Sequence, residues 1–266
     1  MAVAVTSIAE RATRLYQGYS LVSILDTQLF AGITINNEIT TELKIIELPA
    51  STDEKIQLKC TLSTYNHQKK RSAPGYRCTI VLSNKKPTIA TLAGPAFQTG
   101  DLLSPGRASA SFASVGITNN TSNLYNGRVL FHGPTFQDVK GIVAVDANQI
   151  TVKCRKGQML KASRHAALGQ FSGTEDSVTL DVVMQTFLIW ARCERNVAAL
   201  PTGATQIEYY GSLDEGKDYY ITLTGDATMD SSKDATWNAS FNVYDETGCV
   251  YVKGAASVTL HANLSY

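Results

Sequence analysis

LYNGRVLFHGPTFQDVKGI, residues 124–142, holds the run on which the fold turns. Val129-Leu130-Phe131 is apolar and strand-like, His132-Gly133-Pro134 breaks it, and Phe136-Gln137 leads into a second apolar run. Adjacent glycine and proline bend a chain. The pattern therefore predicts a strand over 128–131 that stops at a turn, with His132 at the strand end. A histidine before Gly-Pro is ordinarily a hydrogen-bonded turn residue. The functional alternative is a ring that donates a hydrogen bond into a cleft.

Downstream, strand patterns cover 139–146 and 149–153, while 157–171 has no clear period. Leu180 to Glu194 then reads as a helix. Val182, Val183, Thr186, Phe187, Ile189 and Trp190 cover nearly all of its faces, so it should be buried. Strands return over 205–210, 218–224, 236–244 and 249–260. Val243 to Val250 reads as a hairpin with Gly248 in the left-handed conformation.

Upstream, residues 94–127 are rich in Gly, Ser, Ala and Asn and open on Gly94-Pro95, which suits a connection between modules. Before it, Leu21–Ile24, Leu29–Ile35, Glu42–Leu48, Gln57–Thr64 and Cys78–Leu82 are β-prone. The chain opens on a helix over 4–16, from the spacing of Val5, Ile8, Ala9, Ala12, Leu15 and Tyr16. Thr6 or Ser7 can cap it, Glu10 follows Ser7 at capping-box spacing, and Gly18 stops it. Each half thus carries one long helix and a set of mostly antiparallel strands. That is an α+β chain with each sheet wrapped around its own helix, divided as 1–93, a linker over 94–126, and 127–266.

The 266 residues carry a formal charge of +1 and are 44% hydrophobic. Such a chain builds a core without disulfides or metals. Its charge offers no nucleic-acid footprint, and the short basic cluster His67 to Arg71 reads as a solvated loop. Five cysteines, odd in number and without a C-x-x-C pair, favour reduced thiols and a cytoplasmic setting. No run reaches the roughly 18 apolar residues of a membrane span.

No G-x-G-x-x-G, G-x-x-x-x-G-K-[ST], H-E-x-x-H or G-x-S-x-G is present. The four histidines, His67, His132, His165 and His261, do not stand at metal-ligand spacing, so no metal or bound cofactor is expected. What remains is Asp181 with Gln185 four residues on, a spacing that puts both on one helix face. An aspartate heading an apolar helix is ordinarily an N-cap or first-turn residue. Alternatively it is a carboxyl group at the mouth of an apolar tunnel, kept protonated by partial burial and able to protonate a leaving oxygen. Gln185 would then orient the carboxyl group or the substrate oxygen.

Leu130-Phe131-His132-Gly133-Pro134-Thr135-Phe136-Gln137 resembles the Tyr-Gly-Pro-x-Phe motif of dehydratase domains in polyketide synthases and related fatty acid synthases. Its His-Gly-Pro form is similar to that of iterative synthases, including bacterial polyunsaturated-fatty-acid synthases. Leu180-Asp181-Val182-Val183-Met184-Gln185 resembles the family's D-x-x-x-Q/H motif. Leu200-Pro201-Thr202, followed by Ile207-Glu208-Tyr209-Tyr210, resembles its Leu-Pro turn and the strand after it. The three landmarks stand in the family's order, across about residues 20 to 262.

The resemblance implies a double hotdog, two curved antiparallel sheets each wrapped around a long central helix. It implies loss of water from a β-hydroxyacyl chain carried as a phosphopantetheine thioester on an acyl carrier protein, with no other cofactor. By motif, Asp181 would be the acid, Gln185 its hydrogen-bonding partner, and His132 would stand where the motif has tyrosine. Gly133, Pro134 and Phe136 would line the substrate side. Neighbouring synthase domains would be the partners, and a homodimer fits such assemblies.

One departure stands out. The family's base lies in an H-x-x-x-G-x-x-x-x-P motif just before the first hotdog helix. None of the four histidines stands in such a motif, and the first helix begins within a few residues of Met1. The expectation is therefore either a domain excised just after that motif, or a pseudo-dehydratase serving as a structural or docking module.

Overall fold

The computed structural model describes residues 2–30, 39–67, 71–85, 87–88, 90–91, 124–125, 129–130, 132–156, 177–225 and 235–261. Helix α1, Ala2–Leu15, buries Val5, Ile8, Ala9 and Ala12, spaced to face one side. It starts earlier than the sequence suggests. Thr6 and Ser7 therefore lie inside it and cannot cap it, and Glu10 pairs instead with Arg14 one turn on. Leu15, expected on the apolar face, is 65% exposed. Gly18 follows at φ +85°.

Strands β1 (Ser20–Leu29), β2 (Ile39–Glu47), β3 (Lys55–Asn66) and β4 (Arg71–Ser83) come next. The two segments expected over 21–24 and 29–35 are a single strand as far as Leu29. Its register shifts between Leu21 and Ser23 and between Leu25 and Gln28, with Asp26 at φ +51°. Positions 31–35 of that expectation lie outside the described residues. So do 157–171 and, apart from Leu124 and Tyr125, the linker expected over 94–126.

The second set is β6 (Val139–Val145), β7 (Gln149–Arg155), helix α2 (Ser177–Arg195), β8 (Ala198–Tyr209), β9 (Asp218–Gly225), β10 (Thr236–Tyr244) and β11 (Cys249–His261). Between the sets, the two-residue β5, Ala90–Thr91, pairs with β11. Gly248 turns the β10–β11 hairpin at φ +82°, as expected. Val129 and Leu130 are not strand, which corrects the expected strand over 128–131. Leu130 N–H instead donates to Leu124 O at 2.8 Å.

Among the described residues all strand pairs are antiparallel, in the order β2-β3-β4-β1-β8-β11-β10-β9-β7-β6. The two curved sheets of a double hotdog are therefore joined edge to edge at β1 and β8, where Ser23 faces Glu208 and Gln28 faces Gly203. Gly203 makes the seam possible. A Cβ there would sit 2.5 Å from the Thr27 carbonyl oxygen, inside any allowed contact.

Each sheet half has its own helix, as the sequence predicts. α1 packs on β1, β3 and β4, α2 on β7, β8 and β9, and the helices pack on each other. From Val182 through Ala191 every side chain of α2 is buried. Trp190 is wholly enclosed, packs with its ring centroid 4.1 Å from that of Trp237 at a 39° tilt, and donates its indole N–H to Asp146 O at 2.9 Å. The helix ends at Asn196, φ +52°, whose N–H reaches Arg192 O.

Candidate active site

Three elements meet at the upper part of α2. The first is the helix itself. It begins at Ser177, so Asp181 stands in its second turn rather than at the cap or in the first turn. The dipole-capping reading of Asp181 therefore falls. Gln185, one turn on, is fully buried, while the Asp181 side chain keeps 19% of its exposure. A buried glutamine beneath a partly open carboxyl group is an arrangement that presents one polar group to solvent and supports it from below.

The second element is the Gly-Pro turn. Pro134–Phe136 form one turn of 3₁₀ helix, with Phe136 N–H donating to Gly133 O at 2.9 Å. Proline suits this first position because its fixed φ matches and its missing N–H is not needed there. Gln137 Nε2 closes the turn by donating to His132 O at 3.0 Å. This is the physical content of the Gly-Pro break: a closed turn laid against α2, entered from irregular chain rather than from a strand.

The third element is the short turn at Leu124–Tyr125. Tyr125 accepts from Val139 N–H at 3.0 Å and donates to Gln185 Oε1 at 2.8 Å. Burial, its largest influence, pushes the Tyr125 phenol above its ordinary value, so the hydroxyl keeps its proton.

These elements converge on Gln185. Its Nε2 donates to Asp181 Oδ2 at 2.7 Å and to Phe136 O at 2.8 Å, and its Oε1 accepts from Tyr125. Every hydrogen-bonding direction of the amide but one lone pair is used. His132 Nε2 lies 3.6 Å from Asp181 Oδ2, with the two side chains 13% and 19% exposed. Burial lowers the His132 pKa from 6.5, while the nearby Asp181 pulls it back up. The ring is therefore neutral near pH 7.

Of the residues singled out in the sequence, Asp181, Gln185, His132 and Phe136 come together. Gly133 and Pro134 lie on the exposed side of the turn. Gly133 has φ −68° and ψ 170°, and nothing lies within 4 Å of the position a Cβ would take, so other residues would fit there. Tyr125 is a site residue that sequence reasoning misses. Its only signal is an aromatic residue beside a leucine at the end of a long polar connection. Among the described residues no group of three or more His, Cys, Asp or Glu is placed to hold a metal ion, and no helix is long and apolar enough to cross a membrane.

Comparisons bear on this arrangement. The model of the polyketide synthase dehydratase N-terminal domain matches residues 121–262. A polyunsaturated fatty acid synthase polypeptide of Thraustochytrium sp. is 27% identical over 268 residues, covering 100% of this chain and 9% of that protein. Among solved structures, a trans-AT polyketide synthase dehydratase domain from Brevibacillus brevis superposes with a TM-score of 0.67 at 11% identity, covering 97% of this chain and 84% of that one. The dehydratase domain from the CurF module of curacin polyketide synthase gives 0.65 at 14%, covering 97% and 83%. That of RzxB from Pseudomonas fluorescens gives 0.61 at 14%, covering 97% and 84%. At such identities the superpositions establish the fold.

Proposed function

Because this chain belongs to the polyketide synthase dehydratase family, we propose that it removes water from β-hydroxyacyl thioesters, with Asp181 as the general acid. The substrate would arrive on the phosphopantetheine arm of an acyl carrier protein, within a multidomain synthase of the polyketide or polyunsaturated-fatty-acid type. Neighbouring synthase domains would be its other partners, and the setting cytoplasmic.

The reaction is redox-neutral. A base takes a proton from C2, the C3–O bond breaks, the acid's proton joins the departing hydroxyl to give water, and a C2=C3 double bond forms. Asp181 is suited to the second half, being the partly open carboxyl group of the cluster. The observation that carries the reading is the single hydrogen-bonded frame in which the turn carbonyl of Phe136 and the carboxyl group of Asp181 share the amide of Gln185. It holds the Asp181 carboxyl group against the turn that carries His132, which supports the reading of that group as the acid. His132, neutral and beside the carboxyl group, would donate to the same hydroxyl, the part the family's tyrosine plays.

The test is Asp181→Asn in the full-length synthase. Loss of a positioned acid lowers turnover by about 10²–10⁴-fold, and 3-hydroxyacyl chains should accumulate on the carrier. An unchanged product profile sinks the assignment.

A further inference from the structure

The frame around Gln185 contains a group that neither the motifs nor the comparisons assign. Tyr125 stands 60 positions before Gln185 and lies on a different element. Its hydroxyl has one hydrogen to give. Val139 N–H, the first amide of β6, already donates to that oxygen at 3.0 Å, so the Tyr125 hydrogen points the other way, to Gln185 Oε1 at 2.8 Å. Direction therefore runs along the chain of bonds, from a backbone amide through the phenol to the carboxamide oxygen.

A glutamine amide is nearly symmetric in shape, and turning it over exchanges a donor for an acceptor. The two orientations do opposite things to Asp181. With Nε2 toward Oδ2, as found, the amide donates to the carboxyl group at that oxygen. With Oε1 toward it, a protonated Asp181 would donate its own hydrogen to the glutamine, and that proton would be held away from the substrate.

We infer that Tyr125 is a positioning residue for the acid, setting the orientation of the Gln185 amide so that Asp181 Oδ2 only accepts and Oδ1 is left to carry the acid's proton. The inference rests on the reading of Asp181 as the acid. Phe136 O supports the same orientation by taking the second Nε2 hydrogen at 2.8 Å. The turn carbonyl and the phenol therefore work as a pair, one on each end of the amide. Burial keeps the phenol protonated and able to donate across the working pH range.

The experiment compares Tyr125→Phe, Gln185→Ala, the double variant and Asp181→Asn in the full-length protein, with a 3-hydroxyacyl pantetheine thioester as substrate. It also follows the Gln185 side-chain amide by ¹⁵N NMR in the 266-residue chain. Tyr125→Phe removes one oxygen and keeps the ring, so the fold should persist with an unchanged circular dichroism spectrum. It should lower kcat about tenfold with KM nearly unchanged, the signature of a misplaced catalytic group. It should cost nothing further when Gln185 is already alanine. The two Gln185 amide protons, each held by its own hydrogen bond in the native chain, should give distinct, slowly exchanging signals there, and in Tyr125→Phe they should merge or exchange faster.

Unchanged amide resonances in Tyr125→Phe overturn the inference whether or not the protein turns over. So does full turnover of Tyr125→Phe beside an inactive Asp181→Asn, or a loss that adds in full to that of Gln185→Ala. Full turnover of Asp181→Asn instead removes the acid assignment on which the inference stands.

Discussion

His132 Nε2 stands 3.6 Å from Asp181 Oδ2, and the amide of Gln185 reaches that same oxygen at 2.7 Å. A ring and an amide thus meet on one carboxyl oxygen from opposite elements, the Gly-Pro turn and α2. The two neighbours differ in kind. Gln185 is fixed by hydrogen bonds to Asp181, Phe136 and Tyr125 and carries no charge at any pH. His132 titrates, and its environment resists the charged form.

That resistance makes stability depend on pH. The His132 pKa in the folded chain lies below the ordinary 6.5, because burial outweighs the attraction of Asp181. Below 6.5 the unfolded chain therefore takes up a proton that the folded chain refuses. Stability contributed by the neutral ring is fully present above that value. It falls as the pH drops from 6.5 toward the folded pKa, then levels off. Urea midpoints measured across this range should decline in the native chain and decline less in His132→Gln. Equal slopes would mean that the ring is not held neutral.

Restoring the family's residue separates two roles for His132. Tyrosine also offers a hydrogen-bond donor but is a far weaker base near pH 7. If His132 donates to the leaving hydroxyl, His132→Tyr should retain turnover to within about tenfold, and His132→Ala should fall further. Steady-state rates on a 3-hydroxyacyl pantetheine thioester decide the matter. A His132→Tyr protein as inactive as Asp181→Asn would make the ring a proton-transfer group.

The parts legible in the sequence are those with a short-range signature. The two helices show their periods, the hairpin shows Gly248, and the Asp181–Gln185 spacing puts both side chains on one face. The errors come from boundaries and long-range contacts. Asp181 reads as a cap only if its helix starts at Leu180, and Ser177 to Thr179 carry no strong apolar period to announce the true first turn. The apolar run Val129-Leu130 looks like strand because burial alone selects apolar residues. These two are buried at the base of the site without a ladder partner of their own. Tyr125 has no short-range signature at all, since its partners Val139 and Gln185 are 14 and 60 positions away.

The seam between the sheets makes a prediction about folding rather than chemistry. Gly203→Ala puts a methyl group 2.5 Å from the Thr27 carbonyl oxygen, and that neighbour is backbone, which cannot rotate aside. β1 and β8 must then separate locally, at a cost of about 1–3 kcal/mol. The lowered urea midpoint should come with an unchanged kcat, because Gly203 lies on the seam and not beside Gln185. A midpoint equal to that of the native chain would show that the two sheets slide to absorb the methyl group.

Gln185→Leu asks how far the fold itself depends on the buried frame. Leucine keeps much of the volume and places no charge in the core, so the change isolates the hydrogen bonds. Three groups lose a partner at once: the Phe136 carbonyl, the Tyr125 hydroxyl and Asp181 Oδ2. Asp181 is open enough to recover water, but Phe136 O and Tyr125 face a side chain that was fully buried. A buried polar group left without a partner costs about 1–3 kcal/mol. Tyr125 keeps the Val139 N–H on its oxygen and loses only an acceptor for its hydrogen, so with the Phe136 carbonyl unmatched and some relaxation of the turn the loss should be about 1–4 kcal/mol in urea unfolding. Turnover should fall with it, because the acid has lost its support. The two readouts are separable, since the native contacts of α1 with β1, β3 and β4 are untouched and the chain should still unfold from a native-like state. A loss of under about 1 kcal/mol would mean that the amide is replaceable by packing, and that the frame serves the position of Asp181 alone.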